Sequence, residues 1–294
     1  MCSTCLASQN LTLMYKKCVE GEGGRAAVEH SDLKKPYSFS LFVKHWKDQS
    51  APELANFVSR IGFDGIELPI RDGFQVEPET AWKTLPQFAK QLNEQGVNIY
   101  SVAASTDESI FAACSEAGVP LIRIMVNIDQ DGYKATEERT RRKLEALVPL
   151  CEKYGVKVGI QQHYGNYIID SNGIMQLMHP INPKHIGVVW DAAHDAFAGQ
   201  QPEYGLDIVW SHLAMVNLKN GFFLRSNGPE AETAEWKRHF TTGRHGMAHW
   251  PRIASYVKAR NYAGVICLTA EYTDLANKDR YITEDLAYAK SLFK

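Results

Sequence analysis

From residue 36 onward the chain alternates between short apolar runs and longer amphipathic segments. The short runs are rich in Val, Ile and Leu, as buried strands are, and apolar residues in the longer segments recur at helical spacing. Eight such units can be counted. The predicted strands are YSFSLFV from Tyr37, GIELPI from Gly65, NIYSVAA from Asn98, LIRIMVN from Leu121, KVGIQQH from Lys157, IGVVWD from Ile186, AMVNLK from Ala214 and GVICLTAE from Gly264.

The segments between these strands predict helices, and several end in glycine where a helix C-cap is expected: Gly62, Gly96, Gly118 and Gly155. Strands that are apolar throughout and joined by helices predict a parallel sheet covered by helices. Eight repeats favour closure into a (β/α)8 TIM barrel, with residues 36–294 as a single domain.

An open, doubly wound sheet is the alternative fold. It is disfavoured because LFVKHWKDQS follows the first predicted strand, where such a fold would carry a Gly-rich dinucleotide fingerprint. Residues 1–35 are expected to be a poorly ordered N-terminal leader. Cys2 and Cys5 in that leader have the C-x-x-C spacing of a metal knuckle, with Cys18 nearby, but no second pair follows at zinc-finger distance.

Composition and charge argue against nucleic acid and membranes as partners. The formal net charge is −2 and the basic residues are scattered, which gives no electrostatic footprint for nucleic acid. No apolar run reaches the roughly 18 residues of a membrane span, and the N-terminus lacks the features of a secretory signal. We therefore expect a cytoplasmic protein that binds a small molecule, of an oligomeric state that the sequence does not determine.

Polar residues interrupt the apolar strands close to their C-terminal ends, which is where ligands bind in a barrel of this kind. Each of these residues alone could be an ordinary rim residue, but polar groups at equivalent ends of four consecutive strands favour a common site. The residues are Glu67 on the second strand, Gln161 and His163 on the fifth, Asp191 and His194 at the sixth, Asn217 and Lys219 on the seventh, and Glu271 on the eighth.

Residues outside the strands extend this candidate site. The segment 222–246 is long enough to act as a lid, although a solvated loop is an equal alternative, and Arg225 within it could meet an anionic group. Trp46 could pack on the apolar face of a sugar ring, with ordinary core packing as the alternative.

Five segments give the chain a resemblance to a known family. They are G-F-D-G-I-E ending at Glu67, G-I-Q-Q-H-Y-G on the fifth strand, V-V-W-D-A-A-H ending at His194, V-N-L-K-N, and Y-A-G-V-I-C-L-T-A-E-Y ending at Tyr272. From Tyr37 to Lys294 the chain resembles the xylose isomerase-like barrels grouped as sugar phosphate isomerases and epimerases, which also include inosose dehydratases and hydroxypyruvate isomerases.

The resemblance implies one divalent cation, Mn, Mg, Co or Zn, held by Glu, Asp, His and Glu from strands five to eight. Those positions fall on Gln161, Asp191, Asn217 and Glu271, so two match and two are amides. Amide oxygens can bind a hard cation, but the lost carboxylate and imidazole weaken the site, and we expect weak or hard-ion binding, if any.

Substrate contacts follow from the same resemblance. His194 matches a substrate-binding histidine, and Glu67 matches a polar position that often contacts substrate.

The resemblance implies an isomerase, epimerase or lyase that removes a proton next to a carbonyl of a polyhydroxylated or keto-sugar substrate. A glutamine cannot take up a proton, so the catalytic base must come from Glu271, His163, His194 or Lys219.

Two alternatives to this function remain. One is a degenerate barrel that binds a sugar-like metabolite without catalysis. The other, phosphodiester cleavage, needs more metal ligands and a basic groove.

Overall fold

Eight parallel strands close into a barrel in the computed structural model, which describes residues 37–294. Around the barrel the order is first, last, seventh, sixth, fifth, fourth, third and second, and helices separate consecutive barrel strands. The strands are Tyr37–Phe42 (β1), Gly65–Pro69 (β2), Asn98–Ala103 (β3), Leu121–Met125 (β4), Lys157–Gln161 (β5), Ile186–Asp191 (β6), Leu213–Leu218 (β7), Asn220–Arg225 (β8), Trp236–Thr241 (β9) and Gly264–Leu268 (β10).

This arrangement confirms the predicted (β/α)8 barrel, since all eight predicted strands are barrel strands. The barrel closes where β1 pairs with β10 in parallel register, from Tyr37 opposite Gly264 to Leu41 opposite Leu268. The leader, including Cys2, Cys5 and Cys18, lies outside the described residues.

The helices follow the predicted amphipathic segments. They are Ala51–Ile61 (α1), Ala81–Asn93 (α2), Glu108–Glu116 (α3), Tyr133–Tyr154 (α4), Ser171–Met178 (α5), Ala192–Phe197 (α6), Pro202–Val209 (α7), Trp250–Ala259 (α8) and Lys278–Leu292 (α9). Local signals set their ends. Ser50 and Glu53 form a capping box at the start of α1, and Gly62 ends that helix at a φ of +102°, a left-handed backbone conformation that glycine adopts readily. In the part of the chain that is described, no helix is long and apolar enough to cross a membrane.

Two apolar layers stabilise the barrel. The larger lies between the strands and the surrounding helices. The smaller consists of Phe42, Ala103, Leu121, Val189, Met215 and Cys267, all on barrel strands and all buried. Side chains alternate across a strand, so the residues of the smaller cluster all face the interior of the barrel. We call this cluster the apolar floor.

Much of segment 222–246 is ordered into strands. β8 begins two residues after β7 and pairs with β9 in an antiparallel hairpin, from Asn220 opposite Thr241 to Arg225 opposite Trp236. Phe240 and Thr273 exchange two hydrogen bonds, N–H to Oγ1 at 2.8 Å and N–H to C=O at 3.0 Å, which join the hairpin to the segment after β10. The hairpin is therefore a fixed side wall at the mouth of the barrel and not the free loop that the sequence left open.

Candidate active site

A polar layer stands directly on the apolar floor. Asp191 follows Val189 by two residues on β6, and Asn217 follows Met215 by two on β7. Both carry polar side chains that are fully buried. The alternation that turns the apolar residues inward therefore turns these polar groups toward the barrel axis as well.

A cavity of about 100 Å³ opens above this layer. It is lined by four residues predicted from the sequence, Gln161, His163, Lys219 and Glu271, and by Phe42, Lys44, Arg71, Arg123, Met125 and Thr269. The strands thus bring together half of the eight residues that the sequence singled out at strand ends.

Two lysines hold the carboxylate of Glu271 between them. Lys219 Nζ lies 2.7 Å from Oε2, and Lys44 Nζ lies 3.2 Å from Oε1. Burial alone would raise the pKa of the Glu271 carboxyl, but the charges and hydrogen bonds of Lys219 and Lys44 outweigh burial and hold that pKa well below its ordinary value. Glu271 is therefore an anion that positions two ammonium groups, and it is a weak base while both contacts last.

A strained backbone residue helps to place this carboxylate. Ala270 has a φ of +50° and is buried, although residues other than glycine rarely adopt left-handed conformations. The sequence predicted a strand as far as Glu271, but β10 ends at Leu268. The turn at Ala270 redirects the chain just before Glu271, and the residues after β10 are therefore outside the strand alternation.

The two histidines lie side by side, with ring centroids 4.2 Å apart. His163 Nδ1 is 2.8 Å from the carbonyl oxygen of Tyr164, and since a carbonyl only accepts, Nδ1 carries the proton and the neutral ring has its lone pair on Nε2. Burial first, and then the charge of Lys219, lower the pKa of His163 below its ordinary 6.5. His163 is thus a neutral imidazole at the cavity wall.

His194 lies deeper and is completely buried. Its Nδ1 accepts the backbone N–H of Tyr164 at 3.1 Å, and its Nε2 lies 2.7 Å from Lys219 Nζ. A neutral imidazole has only one ring lone pair, so the contact with Tyr164 and the contact with a Lys219 ammonium are made by different tautomers of His194. Burial first, and then the charge of Lys219, hold the pKa of His194 well below 6.5.

On the opposite wall, a chain of polar contacts links four strands. Arg123 Nε donates to Glu67 Oε1 at 2.7 Å, and its Nη1 donates to Gln161 Oε1 at 2.6 Å. Gln161 Nε2 donates in turn to Asp191 Oδ2 at 2.7 Å. Asp191 Oδ1 accepts the backbone N–H groups of Ala193 and His194 and so caps α6.

These contacts decide whether the four positions could hold a divalent cation. The carbonyl oxygen of Gln161 is taken by Arg123, and both oxygens of Glu271 are taken by ammonium groups. Lys219 Nζ is 2.7 Å from Glu271 and 4.0 Å from Asp191, so a cationic side chain occupies the space between the two carboxylates. Among residues 37–294 there is no cluster of three or more His, Cys, Asp or Glu that could hold a metal ion. The donor set does not fit a divalent cation.

Two buried polar groups at the site have no hydrogen-bond partner in the described chain. One is the side-chain amide of Asn217, in which neither the oxygen nor the nitrogen is paired, and the other is the hydroxyl of Thr269. An unpaired buried polar atom costs about 1–3 kcal/mol, so these atoms fit the polar groups of a bound molecule or of water. Thr269 lines the cavity directly.

None of the four residues predicted to bind substrate lines the cavity; His194 is linked to it only through its contact with Lys219, and the other three lie elsewhere. Glu67 lies beneath it and holds Arg123, with Ser101 as a further donor. Trp46 is buried against Phe57, and its indole N–H donates to Asp279. The Arg225 side chain is exposed on β8 and donates to Asn227 and Ala231.

Lys44, Arg71 and Arg123 line the cavity but were not predicted. Arg123 carried a signal, since it interrupts the apolar run LIRIM. Lys44 begins a short 3-10 helix just beyond β1, and Arg71 stands in the loop just beyond β2; the sequence pattern does not reveal the direction of either segment.

Solved structures with the same fold include a probable dehydratase and several sugar epimerases. The probable 3-DHS dehydratase AsbF from Bacillus anthracis is 13% identical, with a TM-score of 0.65 over 86% of this chain and 98% of that one. The 3-keto-D-glucoside 4-epimerase YcjR from E. coli is 12% identical, with a TM-score of 0.64 over 88% of this chain and 100% of that one.

The IOLI protein, solved with a zinc atom, is 14% identical, with a TM-score of 0.65 over 87% of this chain and 96% of that one. No curated protein sequence matches this chain. At these identities the structural neighbours establish the fold alone.

The family is established by sequence. The model of the xylose isomerase-like TIM barrel matches residues 55–292, which span the chain from the first helix of the barrel to the last. The chain therefore belongs to the xylose isomerase-like TIM barrel family.

Proposed function

We propose that this protein is an isomerase, epimerase or lyase that moves a proton next to the carbonyl group of a polyhydroxylated or keto-sugar substrate. The neutral imidazole of His163 carries this proposal. Its Nδ1 is fixed on a backbone carbonyl, its lone pair is on Nε2, and the ring lines the same cavity as Lys219, Lys44 and Glu271. Family neighbours described as epimerases and a dehydratase support the same reaction class.

In this scheme His163 Nε2 takes the proton from the carbon beside the carbonyl. The electron pair of the broken C–H bond moves onto the carbonyl oxygen and forms an enediolate. Lys219 and Lys44 donate hydrogen bonds to that oxygen, and Glu271 holds both ammonium groups in place. The proton then returns to a neighbouring carbon in an isomerase or passes to a departing hydroxyl in a lyase. An epimerase would leave it on His163 and would need a second proton donor on the opposite face of the carbon.

Proton exchange with solvent tests this scheme. Neutral ketoses, sugar acids and sugar phosphates would be incubated with the protein in D2O, and loss of the C–H signal beside the carbonyl would be followed by proton NMR. His163→Gln should slow exchange by about 10²-fold to 10⁴-fold, the usual contribution of a general base. The matched control is His179→Gln at the exposed end of α5, which should exchange at the wild-type rate. Equal rates in wild type and His163→Gln would refute the role of His163.

Binding without catalysis is the second candidate function. Gln161 and Asn217 favour it, because the amide side chains at these two positions of the polar layer cannot act as a general acid or base. The same experiment separates the two functions. A ligand that binds in calorimetry but is recovered without deuterium after prolonged incubation would support the binding protein over the enzyme.

A further inference from the structure

Arg71 is an arginine without an assigned role at the edge of the catalytic cavity. It stands two residues after β2, and its backbone N–H donates to the carbonyl of Val76, which fixes the loop that carries it. The side chain is partly buried. Among the ion pairs and hydrogen bonds of residues 37–294, none joins a carboxylate to its guanidinium, and the charges of Glu271 and Glu67 act on it only from a longer distance.

Arg71 also lines a second and larger cavity. This trough has a volume of about 430 Å³ and lies over the ends of β2, β3 and β4. It shares Arg71, Arg123 and Met125 with the catalytic cavity, so the two form one continuous depression. The catalytic cavity is the smaller of the two, at about 100 Å³. Because the two cavities adjoin at these three residues, a substrate longer than the catalytic cavity extends into the trough.

The charges of the trough are unbalanced. Arg123 is compensated by Glu67, and among the other residues that line the trough Arg71 and Lys143 are positive whereas Asp107 alone is negative. Arg71 and Lys143 then leave an excess of positive charge around this space. Burial first, and then repulsion by Arg123, lower the pKa of Arg71, as expected for a cation that has no counterion of its own.

We propose that the substrate carries an anionic group, a carboxylate or a phosphate, which Arg71 binds in this trough while the carbonyl end lies against His163 and Lys219. This inference rests on the proposed function and specifies its substrate class. A guanidinium can donate two parallel hydrogen bonds to either kind of anion. Lys143 in α4 lines the far side of the trough and adds a long-range attraction.

Calorimetric titration of matched probes tests the inference without requiring turnover. D-fructose, D-fructose 6-phosphate and 2-keto-D-gluconate share a ketone, and they differ in carrying no anion, a phosphate or a carboxylate. Wild type should bind at least one of the two anionic probes more tightly than fructose. Preference between those two identifies which anion the trough accepts.

Arg71→Gln should weaken binding of the preferred anionic probe by about tenfold to a hundredfold, the usual effect of losing a hydrogen bond to a charged group. It should leave the affinity for fructose unchanged. Arg71→Lys should retain part of the preference, with a steeper dependence on salt. The matched control is Arg280→Gln, since that exposed arginine pairs with Glu284 on α9.

Two outcomes would overturn the inference. One is equal weakening of neutral and anionic probes in Arg71→Gln, and the other is wild-type protein that binds no anionic probe more tightly than fructose. Failure of the proposed function looks different, because anionic probes would then bind in an Arg71-dependent manner and be recovered without deuterium.

Discussion

Asp195 is a buried acid whose protonation should set how stability depends on pH. Its Oδ1 accepts from Ser171 and Gln162, whereas its Oδ2 has no partner among the described residues. Burial raises the pKa of Asp195 from 3.8 to about 7. The folded state therefore keeps a proton that the unfolded chain has already lost, and stability falls as pH rises from about 4 to about 7, by up to about 1.4 kcal/mol per pH unit.

Asp195→Asn should remove this dependence, because an amide stays neutral. The melting temperature of the variant, measured by calorimetry, should exceed that of wild type most at pH 8 and by a smaller margin at pH 5. Asp72→Asn, at an exposed position, is the control. A difference between variant and wild type that stays constant from pH 5 to pH 8 would contradict the assignment.

The buried pair of Glu67 and Arg123 gives a second prediction for single residues. Glu67→Gln leaves a guanidinium that is only 5% exposed without its carboxylate, and this should cost about 3–5 kcal/mol in a urea unfolding experiment. The double variant Glu67→Leu, Arg123→Met removes both charges and should be more stable than Glu67→Gln. If the single variant were the more stable of the two, the pair would not be the source of the cost.

At the scale of elements, the close approach of β2 to β3 depends on one glycine. A Cβ on Gly65 would lie 2.4 Å from the carbonyl oxygen of Asn98 and 2.6 Å from the ring of Tyr100. Gly65→Ala should therefore lower the free energy of unfolding by about 1–3 kcal/mol, because backbone atoms cannot move aside cheaply. Gly228→Ala is the matched control, since nothing lies within 4 Å of the added atom. Equal stability of the two variants would show that the strands adjust freely.

Periodicity was enough to predict the barrel strands and most helices, because each element buries one repeating face. It was not enough for the hairpin. Segment 222–246 has no long apolar run, and β9 carries Lys237, Arg238 and His239 in succession. Arg238 lies over the ring of Tyr164 at 3.8 Å, a contact between residues 74 positions apart that no local pattern reveals.

The residues of the candidate site, too, could be predicted only in part from the sequence. Gln161, His163, Lys219 and Glu271 lie in or just beyond strands, so the strand period and the topology together bring them to one cavity. Lys44 reaches it from a short 3-10 helix, and Arg71 reaches it from a loop. The position of Lys219 between Asp191 and Glu271 depends on the direction of its side chain, which the sequence does not reveal. It puts an ammonium group where the family resemblance implies a metal ion.

For the whole molecule, this cluster predicts how the fold responds to metal. A cation entering the site would have to displace Lys219, so millimolar manganese should raise the melting temperature of the wild type by less than about 1 °C, the shift expected when the metal concentration only equals the dissociation constant. Scanning calorimetry with and without manganese checks this. A rise of several degrees that Asp191→Ala abolishes would demonstrate a real metal centre.

The hairpin of β8 and β9 is joined at both of its ends to segments that carry residues of the cavity. β8 begins next to Lys219, and Phe240 of β9 is bonded to Thr273, two residues beyond Glu271. Any tilt of the hairpin would therefore pull on an ammonium group and on its carboxylate partner together.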